Sequence, residues 1–94
     1  MNLYTQRQLP TLNSTIGQWV IVKYDGEELP GEVTGIEKSD LQVNVMHRSA
    51  NAWKWPRSED KIFYPSNNIL SIVNPPTVAG NRGQFVFQDI NFSI

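Results

Sequence analysis

The chain has 94 residues, 39% of them apolar, with three Trp, three Tyr and four Phe; that is enough for one compact core and too little for two. It has no cysteine, which excludes disulfides, thiolate metal sites and thiol nucleophiles. Eight basic against nine acidic residues give a net charge of -1, so bulk counterion release cannot drive nucleic-acid binding and any such contact must be local. No apolar run approaches the ~18 residues that cross a bilayer. The opening MNLYTQRQLPTL also lacks the charged-then-apolar order of a signal peptide, so the expectation is an intracellular protein with no membrane association.

Residues 1–16 show neither alternation nor a helical stripe and read as a flexible or extended lead-in. From Gly17 the pattern changes: WVIVKY is β-branched and aromatic and runs into Asp25-Gly26, which predicts a strand entering a hairpin. PGEVTGIE sets Val33 and Ile36 among polar residues; Gly35 marks a bend, and Pro30 fits only a strand's first position or a bulge. After a turn at Lys38-Ser39-Asp40, LQVNVMH puts Leu41, Val43, Val45 and His47 on one face and Gln42, Asn44 and Met46 on the other. Residues 48–61, RSANAWKWPRSEDK, are polar apart from their tryptophans and proline and read as an ordered loop. KIFYP and ILSIV predict two more strands, the second stopped by Asn74-Pro75-Pro76. Beyond them Gly80-Asn81-Arg82-Gly83 signals a turn, and Phe85-Val86-Phe87 one extra strand.

Short strands without a helical period predict an all-β fold. The expectation is a small five-stranded barrel over 17–76, preceded by the lead-in 1–16 and followed by a C-terminal extension, 77–94. Its predicted core is Val20, Val22, Val33, Ile36, Leu41, Val43, Val45, Ile62 and Ile69.

The order WVIVKY, DGEELPG, two further strands and a short strand closing on NNIL, from Gly17 to Val73, resembles Tudor-like domains of the SH3-like barrel class. More closely, VIVKYDGEELPGEV, NVMHRS, WKWP, DKIFYP, NPP and NRG in succession resemble a module of uncharacterised, transposon-derived animal proteins. The Tudor resemblance implies a protein-interaction module that reads a cationic or methylated peptide, methylated Lys or Arg included, in an aromatic cage. Tyr24 matches one cage position, while Leu29 and Met46 stand at two others. A cage assembled differently would use Tyr24, Trp53, Trp55 and Tyr64, with Asp25 and Glu27 attracting the cation. The competing reading has one tryptophan plugging the end of the barrel, with Trp55, held by Pro56, expected in the core and Trp53 expected as the exposed anchor.

The single histidine, His47, has Ser49 two residues on but no Gly-x-Ser-x-Gly context, so neither catalysis nor a metal site nor a cofactor is expected. The peptide-binding reading comes first. Its alternative is a nucleic-acid-binding accessory domain of a transposon-derived protein, in which Arg48, Lys54, Arg57 and Lys61 meet phosphates and Trp53 or Trp55 stacks on an unpaired base. A third reading is self-association through the apolar tail, using Phe85, Phe87, Phe92 and Ile94. Either ligand class favours the nucleus over the cytoplasm.

Overall fold

The computed structural model of the chain describes residues 15–90. Most of the lead-in, and Phe92 and Ile94 of the expected association tail, lie outside them. The Asp25-Gly26 signal acts as expected: both residues take positive φ (51° and 79°), and the flanking pair Tyr24–Glu27 closes a two-residue hairpin between β1 (Trp19–Tyr24) and β2 (Glu27–Glu37). A second tight turn through Lys38 (φ 56°) joins β2 to β3 (Asp40–Val45). The strands β6 (Lys61–Tyr64) and β7 (Ile69–Val73) flank this meander, separated by a 3-10 turn at Ser66–Asn68. The five form one antiparallel sheet in the order β6-β3-β2-β1-β7.

The expected five-stranded barrel is corrected here. Nine strands form among the described residues, in two antiparallel sheets, and no barrel closes. The segment expected to be a loop contains β4 (His47–Ser49) and β5 (Ala52–Lys54), and the C-terminal extension supplies β8 (Thr77–Val78) and β9 (Gln84–Val86), giving a second sheet β4-β5-β9-β8. The chain leaves the first sheet at Met46 and hydrogen-bonds outward strands to one another, so β6 and β7 remain the two edges of the first sheet instead of meeting. There is no α-helix among the described residues, and none long and apolar enough to cross a membrane.

Two backbone features shape β2. Gly35 does sit at an irregularity: Val33 faces Val43 and Gly35 faces Gln42, leaving Thr34 as the extra residue of a bulge. Pro30, expected only at a strand start or bulge, lies instead inside β2, opposite Ile21. Its carbonyl accepts from the Met46 N–H at 2.9 Å, just past the last β2–β3 pair, Gly31–Val45. The missing proline N–H therefore falls where pairing with β3 has already ended.

Val20, Val22, Val33, Leu41, Val43, Val45 and Ile69 are buried, as alternation requires. Ile36 and Ile62 are not: they are 45% and 41% exposed, because one adjoins the β2–β3 turn and the other lies on edge strand β6, where the core has thinned. Ile21, Leu29, Met46, Trp53, Tyr64, Val73 and Phe87 complete the buried cluster. The two sheets are tied by a row of rings. Trp19 of β1 packs on Trp55 (centroids 5.8 Å apart, tilted 41°) and takes the edge of Phe87 at 5.6 Å. Two of the four residues expected to mediate self-association, Phe85 and Phe87, are thus packed against their own chain's core.

Candidate functional site

The β4–β5 hairpin turns through Ala50 (φ 56°), whose carbonyl accepts from Arg48 Nε at 3.1 Å. Its register puts His47 opposite Lys54 and Ser49 opposite Ala52. On the far side Lys54 pairs with Gln84 of β9, whose Nε2 donates to Ser49 Oγ (3.0 Å) and fixes the hairpin to the sheet. Trp53, between Arg48 and Phe85 in register, is only 5% exposed. After Lys54 the chain leaves the sheet, Trp55 lies half-buried on Trp19, and Pro56 directs Arg57 back toward the hairpin.

These elements line an open concavity of about 500 Å³, with His47, Arg48, Ser49 and Lys54 from the hairpin and Trp55, Pro56 and Arg57 from the segment that follows it. Three of the chain's eight Lys and Arg residues line it and none of its nine acidic residues does, so a nearly neutral chain has a locally positive surface. Neither Lys54 nor Arg57 is ion-paired among the described residues. The nearest acidic influence is Asp60, whose carboxylate accepts from His47 Nε2 at 2.9 Å and whose backbone carbonyl accepts from the Val45 N–H at 3.0 Å. Lys61, the fourth cation of the nucleic-acid reading, stands apart on β6 and faces Glu59 at 3.8 Å.

The residues expected to form a cage divide between distant places. Tyr24 and Tyr64 meet edge to face, with centroids 6.4 Å apart, beside the hairpin turn that holds Asp25 and Glu27. Tyr24 is 54% exposed and Tyr64 only 3%. Trp55 packs on Trp19, at the opposite end of β1 from Tyr24, and five strand steps of ~3.4 Å put those ends ~17 Å apart. Trp53 is in the core. The four aromatics therefore do not surround a single cation. The expected roles of the two tryptophans are also reversed, since Trp53 is the buried ring and Trp55 the one that reaches the surface.

Burial pushes the Tyr64 hydroxyl up to about 12 from 10.0, with Asp60 and then Tyr24 adding to the rise. An unfolded chain releases this proton first, so the contribution to stability is full below pH 10 and is lost as pH rises through about 12. The urea midpoint is expected to fall across that window, and less steeply in Tyr64→Phe. Identical pH slopes for the two proteins would remove Tyr64 as the source.

Comparison with protein-family models, with curated proteins and with solved structures finds no match to this chain. Its function has to be argued from the site itself.

Proposed function

We propose that the chain is a non-catalytic binding domain whose ligand is a nucleic acid, held at the concavity between the β4–β5 hairpin and the Trp55–Arg57 segment. The observation that carries this reading is the placement of Lys54 and Arg57, neither ion-paired among the described residues, beside the partly exposed ring of Trp55 in a hollow with no acidic residue in its lining. Phosphates supply the charge that such a lining attracts, and an aromatic ring gives a base something to contact. A cationic or methylated peptide would be repelled there.

The peptide reading retains support at the other end of β1, where exposed Tyr24 stands opposite Glu27 and beside Asp25, with Tyr64 edge-on behind it. The resemblance to Tudor-like modules belongs to that second reading, and a nuclear location is proposed with either. That surface offers one exposed ring, against a ring and three cations lining one hollow for the nucleic acid.

Fluorescence anisotropy with labelled oligonucleotides at low salt tests the first reading. Binding is expected to weaken steeply with salt, and the double variant Lys54→Glu/Arg57→Glu is expected to lose more than tenfold in affinity. Its plot of log K against log salt should be shallower by ~1.4, as for two lost single-strand phosphate contacts. Absence of binding to any oligonucleotide at low salt, by a chain that circular dichroism shows folded, would reject the proposal.

A further inference from the structure

Resting on the nucleic-acid reading, we infer that the hollow takes an unpaired strand: one base stacks on Trp55, the flanking phosphates meet Lys54 and Arg57, and no base is preferred. The position of the ring decides between paired and unpaired strands. Trp55 packs on Trp19 in a tilted contact and lines the hollow beside the hairpin side chains and Arg57. A base inside a duplex is stacked above and below and has no face free for Trp55, so a duplex offers the ring nothing to stack on. A base free of its partner can stack there.

The ring is also backed by packing. Trp19 behind it is held in turn by the edge of Phe87, so the stacking surface is in place before any ligand arrives. Selectivity among bases needs donors and acceptors held against base edges, from Asn or Gln on adenine, Asp or Glu on cytosine, or Arg and Lys on guanine. No Asn, Gln, Asp or Glu lines the hollow, and its Ser49 hydroxyl is engaged by Gln84 and its His47 ring by Asp60. With Arg48, whose Nε donates to the Ala50 carbonyl, Lys54 and Arg57 all meeting phosphates, what is left for the base is the indole, which suits every base alike. A volume of about 500 Å³ fits a single base with its adjoining phosphates, not an extended groove.

Three probes of equal phosphate number test this with the full chain: a single-stranded oligonucleotide, a duplex of half its length, and a single strand in which every base is replaced by an abasic sugar. The single strand should bind about tenfold more tightly than either of the others, within the range expected of a base stacked on an aromatic ring. Single strands of different base composition should bind within about threefold of one another. Trp55→Leu should reduce the single strand to the affinity of the abasic strand and leave the abasic strand unchanged, while Trp55→Phe should keep most of the difference. Equal binding of the abasic and normal strands by the unmodified chain would overturn the stacking inference and leave the nucleic-acid reading standing, as would tighter binding of the duplex. If none of the three probes binds, the reading itself falls. The comparison on the unmodified chain needs no variant to fold.

Discussion

Trp53→Ala is expected to lower stability by about 3 to 5 kcal/mol, the range for removing a large buried aromatic, and so to leave a domain of this size largely unfolded. The ring is 5% exposed, lies in register between Arg48 and Phe85, and belongs to the single buried cluster that both sheets share. Half-buried Trp55 makes a smaller contribution, and Trp55→Ala is expected to cost about half as much or less. Urea midpoints of the two variants measure the difference directly. A larger loss for Trp55→Ala would mean that the ring at the surface, and not the one in the second sheet, supports the fold.

Gly31→Ala is the second large effect. A methyl group built on Gly31 would come within 2.5 Å of Val43 Cγ1, 2.6 Å of the Asn44 carbonyl oxygen and 3.0 Å of the Val45 Cα. Val43 can rotate only within a closed core, and the other two atoms are backbone, so relief requires β3 to move off β2. Overpacking of this kind costs about 1 to 3 kcal/mol, and contact with backbone puts this position at the upper end. At Gly35 the nearest atoms belong to the flexible Gln42 side chain, so Gly35→Ala serves as the matched control and should be much milder. Thermal midpoints that are equal for the two variants would show that β3 gives way more readily than the close approach implies.

The first sheet was legible because its signals are local. Asp25-Gly26 names a two-residue hairpin, and Leu41, Val43 and Val45 alternate without interruption, so five strands follow from pattern alone. The second sheet was legible only at β9, which the expected strand Phe85-Val86-Phe87 overlaps. β4 and β5 have three residues each, too few to show a period, and they turn at Ala50, a residue type with no preference for positive φ. The reversal at the tryptophans has a similar origin. Val45 and Met46 are both buried, so the alternation slips by one where the chain passes between sheets, and everything after His47 is out of phase with β3. Residues two apart on one strand share a face, but β5 stops at Lys54, which frees Trp55 from the side that Trp53 occupies.

Of the site, the cations and Trp55 could be named from the interleaving of charge and aromatic in WKWPR. Their grouping with Arg48 was also read from sequence proximity, whereas the hairpin that brings Arg48 beside them, and leaves Lys61 apart, was not. Nor does any local signal mark Trp19, more than thirty positions away, as the support of Trp55. The tyrosine and acidic half of the expected cage was readable for the opposite reason, since Tyr24, Asp25 and Glu27 adjoin one turn.

The row Phe87–Trp19–Trp55 joins recognition to thermodynamic linkage. The same row fastens one sheet to the other, and its last ring, Trp55, lines the hollow, so the hollow exists only in the folded chain. A ligand seated there necessarily shifts the folding equilibrium, by about 2.7 kcal/mol at a hundredfold excess over its dissociation constant. Reciprocity runs the other way as well: Trp19 lines no part of the hollow, yet loosening it would weaken binding by withdrawing the surface on which Trp55 rests. On the proposed function, heat resistance and ligand affinity are therefore coupled quantities.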